Sequence, residues 1–154
     1  MNILIIHGPS LNFLGRREPD IYGKFTLNQL NALIKKHAAA KKVKVRIFQS
    51  NSEGGIIDLI AANMAWAGWL IINPAAYTHY SYAIRDAIKA CGLPAVEVHL
   101  SDTARREPFR RISVTKAVCV KQIRGLGHNS YLSAIDFAVK NGRLMSIAPG
   151  TAPA

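Results

Sequence analysis

The sequence predicts an open, doubly wound α/β sheet of five parallel strands with helices on both faces. Two observations carry that expectation. Apolar runs rich in β-branched residues alternate with segments of helical period, the order expected of βα units around a parallel sheet. One of those runs, Trp69 to Ile72, is wholly apolar, as suits a strand covered on both faces. Composition agrees: among 154 residues, 49% are hydrophobic and 19% charged, ample for one core and unlike an intrinsically disordered chain. Residues 1–154 are therefore expected to form a single domain, with the Pro- and Ala-containing tail from about 147 frayed.

Each element has a local reason. Asn2 to His7 reads as the first strand; it lacks the basic flank and long apolar stretch of a signal peptide. Gly8 to Lys24 has no helical period and exceeds the usual βα loop, which suggests a lid. Thr26 and Gln29 form a capping box that opens a helix marked by Leu27, Leu30, Leu33, Ile34 and Ala38. Lys44 to Gln49 alternates as a strand, and Ile56, Ile57, Ile60 and Met64 mark the next helix. After the strand Trp69–Ile72, a helix is expected from about Tyr80 to Cys91, with Gly92 as its C′ residue and Pro94 beyond. Ala95 to Leu100 is the fourth strand. Ala104 to Arg111 suggests a short helix, Ala117 to Val120 a fifth strand, and Ser130 to Asn141-Gly142 the last helix.

The formal net charge is +11. Such an excess fits nucleic acid, an anionic membrane surface or a small anionic substrate, and composition alone does not choose. Between Asp58 and Arg85 no charged residue occurs, but Asn63, Asn73, Pro74, Thr78, His79 and Ser81 interrupt the stretch, so no continuous apolar span long enough to cross a bilayer exists there. No nucleic-acid-binding signature accompanies the charge. Lysines and arginines at 35, 36, 41, 42, 44 and 46 read as a solvated face. The two cysteines, Cys91 and Cys119, have no framework spacing, which fits a reducing, cytoplasmic setting. Neither GxGxxG nor a Gly-Lys-Ser/Thr ending is present, and the five histidines lack zinc spacing; no cofactor and no metal are expected.

In open α/β sheets the site lies beyond the carboxyl ends of the strands. Polar residues collect there: His7, Ser10, Arg17 and Tyr22 after strand one; Asn73, Thr78 and His79 after strand three; Glu97, His99 and Ser101 at strand four, followed by Arg106 and Arg110. Within Ala95–Leu100, side-chain alternation puts the valines and Leu100 on one face and Glu97 with His99 on the other. A buried carboxylate beside His99 favours the proton-donating imidazolium of a general acid; a satisfied polar pair at a sheet edge fits the same residues. A tyrosine is ionised in only about one molecule in a thousand at neutral pH, and an adjacent arginine raises that fraction. Tyr22 beside Arg17 is thus a candidate base, or else a packed loop tyrosine near a solvated arginine.

The segments His-Gly-Pro-Ser-Leu-Asn-Phe-Leu-Gly-Arg-Arg-Glu-Pro-Asp-Ile-Tyr-Gly (7–23), Gln-Ser-Asn-Ser-Glu-Gly (49–54), Ile-Asn-Pro-Ala-Ala-Tyr-Thr-His (72–79), Val-Glu-Val-His-Leu-Ser (96–101) and Arg-Glu-Pro-Phe-Arg (106–110) resemble the signatures of type II 3-dehydroquinate dehydratase, from residue 3 to about 140. The resemblance implies a flavodoxin-like subunit of a homo-oligomer, a dodecamer built from trimers, that dehydrates 3-dehydroquinate without a cofactor. By position, Tyr22 would be the base kept ionised by Arg17, and His99, oriented by Glu97, would protonate the departing hydroxyl. Asn73 and the backbone at Leu100 and Ser101 would hold the substrate carboxylate, and His79 and Arg110 the ring hydroxyls. Arg106 would stand at the lid or mouth, and Asp86 would reach a neighbouring subunit's site. The resemblance is imperfect: His7 and Ser10 stand in an Asn-Gly-Pro-Asn motif, Ser52 where His is frequent and Ala75 where Gly is frequent. Ser10 then takes the place of the asparagine that helps hold a water against the enolate.

Overall fold

The computed structural model describes residues 1–16, 19–22 and 24–145, without the side chains of Pro19, Tyr22 and residues 143–145. Five strands, β1 (Asn2–His7), β2 (Lys44–Gln49), β3 (Trp69–Asn73), β4 (Ala95–His99) and β5 (Lys121–Arg124), form one parallel sheet in the order β2-β1-β3-β4-β5. The helices are α1 (Pro19–Tyr22), α2 (Leu27–Ala40), α3 (Glu53–Asn63), α4 (Tyr82–Ala90) and α5 (Asn129–Met145).

Alternation along the strands sorts the sheet into two cores. Ile3, Ile5, Ile71, Val96 and Val98 pack against Leu30 and Ile34 of α2 and Tyr131 and Ile135 of α5. The opposite face carries Leu4, Ile6, Leu70 and Ile72, covered by Ile56 and Ile60 of α3 and Ile84 and Ile88 of α4. The capping box opens α2, with the Thr26 side chain accepting from the Gln29 N–H and the Gln29 side chain from that of Thr26. Strand order reverses between β1 and β3, where His7 pairs with Asn73. A crevice opens at such a reversal.

Several expectations need correction. The run Ala117–Val120 is not a strand: Lys116–Val118 makes a 3₁₀ turn and β5 starts at Lys121. The apolar Val118 and Cys119 pack instead against the α3–α4 core. The true strand is polar because it lies at the sheet edge. Residues 104–111 form two 3₁₀ turns, Thr103–Arg105 and Pro108–Arg111, so no α-helix joins β4 to β5. The last helix runs past Gly142 to Met145, so this glycine does not end it; the flexible end of the Met1 side chain lies over it. Met64 caps α3 and is exposed, while Asn63 takes the inward place. Arg46 is not a purely solvated charge, since its guanidinium sits 4.2 Å over the Trp66 ring and donates to Asn63 Oδ1 at 3.0 Å. Within Gly8–Lys24 the short helix α1 begins at Pro19, whose fixed φ suits a first helical position. The expected tail from 147 lies outside the described residues.

Candidate active site

The carboxyl ends of β1, β3 and β4 converge on a cleft of about 170 Å³. A cavity of about 150 Å³ accommodates a benzene ring, so one six-membered carbocycle fits. Gly8 makes the convergence possible: a Cβ there would lie 2.7 Å from the carbonyl oxygens of Asn73 and Pro74, and the Gly8 N–H donates to Asn73 O at 2.8 Å.

Ser10, Asn73, His79 and His99 line this cleft, as do Leu100, Ser101, Arg106 and Arg110. Glu97 lies just beneath, fully buried. Five side chains donate to its carboxylate. His99 Nε2 reaches Oε1 at 2.6 Å, Thr78 Oγ1 at 2.8 Å and Gln122 Nε2 at 2.9 Å; Thr115 Oγ1 reaches Oε2 at 2.7 Å, and Ser113 Oγ lies 3.0 Å from both oxygens. Burial by itself pushes the Glu97 carboxyl up, but the hydrogen bond and charge of His99, then the bonds from Thr115 and Gln122, outweigh it and hold the acid at about 2. Glu97 is therefore ionised at neutral pH. It pins the His99 ring by Nε2, and among the described residues Nδ1 has no partner and is the nitrogen left to the cleft.

His79 contributes a different group. Its Nδ1 donates to the Ile112 carbonyl at 2.6 Å, leaving Nε2 as an acceptor. Burial, chiefly, holds its pKa below the usual value, with Arg110 acting in the same direction. Arg110 and Arg106 bring guanidinium groups to the cleft wall, and both lean on Glu107, at 3.0 and 3.6 Å. The Leu100 and Ser101 carbonyls accept from the Gly127 and Gly125 N–H groups. Because the peptide is trans, the Ser101 N–H points away from Gly127.

Asp86 does not line this cleft: it is exposed on α4, paired with Arg85 at 2.8 Å. Arg17 and the Tyr22 side chain lie outside the described residues; the Tyr22 backbone closes α1. Ser10 adopts φ 66° and Ala75 φ 52°, left-handed conformations that glycine or asparagine occupies with less strain. Sequence reasoning missed Ser113, Thr115 and Gln122 as supports of Glu97. Gln122 offered the one available signal, since it stands opposite Glu97 on the neighbouring strand.

Fold and site together define a doubly wound α/β protein with a histidine–carboxylate pair at the mouth of a cationic cleft. The model of the family "Dehydroquinase class II" matches residues 1–139. A 3-dehydroquinate dehydratase of Roseiflexus castenholzii is 51% identical over 137 residues, covering 89% of this chain and 87% of the relative. One of Clostridium botulinum is 49% identical over 140 residues, 91% of this chain and 95% of the relative. The crystal structure of the type II dehydroquinase from Butyrivibrio crossotus superposes with a TM-score of 0.87 at 47% identity, covering 89% of this chain and 96% of that one. The chain belongs to the class II dehydroquinase family.

Proposed function

We propose that the cleft binds 3-dehydroquinate and that the chain, a hydro-lyase, dehydrates it to 3-dehydroshikimate by anti β-elimination through an enolate. One observation carries this most directly: a histidine pinned on a buried, ionised carboxylate faces a cleft bearing two guanidinium groups, in a member of this family. Tyr22, kept ionised by Arg17, takes the proton from the carbon next to the ketone. The bonding electrons move onto the ketone oxygen as an enolate, near which Ser10 holds a water. Collapse of the enolate expels the C1 hydroxyl, which takes a proton from His99 and leaves as water. The product is a conjugated enone acid. Acid and base on opposite sides of the ring are what an anti elimination requires.

Asn73 and the backbone at Leu100 and Ser101 receive the substrate carboxylate, His79 and Arg110 the ring hydroxyls, and Arg106 closes the mouth. Residues 1–154 act as one catalytic domain in the cytoplasm, in aromatic biosynthesis or in quinate breakdown. The exposed Tyr80, Tyr82 and Ile112 offer apolar surface for contacts within a dodecamer built from trimers. Asp86, exposed in its own subunit, then reaches the neighbour's site.

Purified protein mixed with 3-dehydroquinate should produce the ultraviolet absorbance of a conjugated enone. Tyr22→Phe should abolish it while leaving the circular dichroism unchanged. No turnover by the wild type sinks the proposal, and full turnover by Tyr22→Phe removes the tyrosine base. A second reading, reduced activity or a shifted substrate, is favoured by the strained Ser10 at the cleft. It predicts slow wild-type turnover that rises in Ser10→Asn.

A further inference from the structure

The segment Gln49-Ser50-Asn51 does not line the cleft, yet it holds both of the turns that carry residues into it. Gln49 ends β2 opposite His7 of β1, and the Ser50 N–H extends that ladder to the His7 carbonyl at 3.0 Å. Asn51 then lays its side chain on the turn after β1: Oδ1 accepts from the Ser10 N–H at 2.9 Å and from Gln49 Nε2 at 3.0 Å. The Asn51 carbonyl accepts from the Tyr77 hydroxyl at 3.0 Å. Tyr77 belongs to the 3₁₀ turn Ala75–His79 after β3, and its half-buried ring packs against the α3–α4 core, which makes it a firm post. Asn51 thus ties the turn bearing Ser10 to the turn bearing His79.

Both bonds to Oδ1 have one possible direction. A backbone N–H only donates, and Gln49 Nε2 is fixed as a donor because it also reaches the Gly8 carbonyl at 3.3 Å. Asn51 therefore acts here through its acceptor alone; its Nδ2 has no hydrogen-bond partner among the described residues. The rest of the turn is committed as well. The Gly8 N–H donates to Asn73 O at 2.8 Å, and the Ser10 carbonyl accepts from the Phe13 N–H at 3.0 Å. Between these anchors Ser10 sits at φ 66°, a conformation that costs a serine about as much as one hydrogen bond returns. One acceptor is then enough to decide whether the left-handed turn persists. The Ser10 hydroxyl is without a partner among the described residues, and Ser10 lines the cleft.

We infer that Asn51 is a positioning residue whose side-chain oxygen, braced by Gln49 and Tyr77, clamps Ser10 in the left-handed conformation that offers its hydroxyl to the cleft. This rests on the dehydratase reading, in which Ser10 holds a water near the enolate, and adds to it a residue outside the cleft. The enolate's charge develops only after the proton has left the substrate. Loss of the clamp therefore lowers kcat and leaves KM nearly unchanged. Asn51 is exposed and belongs to neither core, so its replacement leaves the packing of the sheet intact.

The test uses the full chain with 3-dehydroquinate as the probe. Asn51→Ala removes the acceptor, and Asn51→Asp keeps one in the same place. Asn51→Ala should lower kcat about tenfold with KM within about threefold, the size of one lost hydrogen bond that aligns a group acting in the transition state. Asn51→Asp should keep kcat within about threefold of the wild type, since both bonds need only an acceptor. A merely structural role predicts a lower melting temperature with kcat per folded enzyme unchanged in Asn51→Ala; that result overturns the clamp, as does an equal fall of kcat in both variants. Should the wild type not turn over 3-dehydroquinate, the dehydratase reading fails separately. The clamp is then decided without substrate, by hydrogen exchange of the Ser10 amide followed by nuclear magnetic resonance. Exchange should be at least about tenfold faster in Asn51→Ala than in the wild type or Asn51→Asp; equal rates in wild type and Asn51→Ala overturn it.

Discussion

His7 and His99 stand at the carboxyl ends of β1 and β4, on either side of β3, both buried, and they meet opposite kinds of partner. His99 lies against the Glu97 carboxylate; His7 lies between a phenol and an amide. Burial is common to both, so burial does not decide what a histidine does here. The partner does. The carboxylate behind His99 is what the proposed proton transfer draws on, while the neutral partners of His7 hold its ring between α2 and α5. The two rings also lie on opposite faces of the sheet, His7 against Tyr131 in the core under α2 and α5 and His99 with Glu97 on the other face.

The largest way to break this contrast is to take away the charge. Glu97→Gln keeps the shape but puts an amide among five donors, leaving at least one unpaired. We expect kcat to fall at least about a hundredfold and stability to drop by about 3 kcal/mol, read by steady-state kinetics and urea denaturation. Wild-type kinetics in Glu97→Gln remove the carboxylate from the mechanism.

Acid titration sharpens the contrast next, because the two sites lose stability in different windows. His7 goes from 6.5 unfolded to about 4 folded. Between those values the unfolded chain binds the extra proton, so the contribution is complete above about 6.5 and is lost as pH falls toward 4. The size is about 3 kcal/mol. Glu97 is depressed, from 4.5 to about 2, so its contribution is present above about 4.5 and is lost as pH falls through 2. Urea midpoints of wild type and His7→Asn compared from pH 7 to pH 4 should show a steep decline in the wild type only. Parallel curves contradict the buried neutral imidazole.

The smallest effect lies between the two histidines. Ala75, whose N–H orients Asn73, is held at φ 52°. Ala75→Gly relieves that strain at the cost of a more flexible unfolded chain, and should stabilise by about 1 kcal/mol or less with KM unchanged. A destabilised Ala75→Gly shows that the left-handed backbone carries no strain.

What the sequence disclosed follows from the range of each interaction. Glu97 and His99 were legible as a pair because strand alternation is a local rule, and Thr26–Gln29 was legible because a capping box spans one turn. Ser113 and Thr115 were not, since they come from the connection to β5 and meet Glu97 only after the sheet forms. His7 was visible as a titratable group beside the first loop, but Asn31 and Tyr131 are 24 and 124 residues away. Hydrophobicity misplaced β5, because an edge strand can be polar while the neighbouring turn supplies the apolar contacts. The segment from Gly8 to Lys24 offered too few residues for a period to reveal α1.

One comparison of rates tests the central assignment most directly: wild type and His99→Ala, assayed side by side with 3-dehydroquinate by enone absorbance at neutral pH. Loss of a general acid predicts a kcat lower by about a thousandfold, with KM changed far less. A His99→Ala enzyme that turns over at the wild-type rate contradicts the assignment of His99, held by Glu97, as the acid of the dehydration.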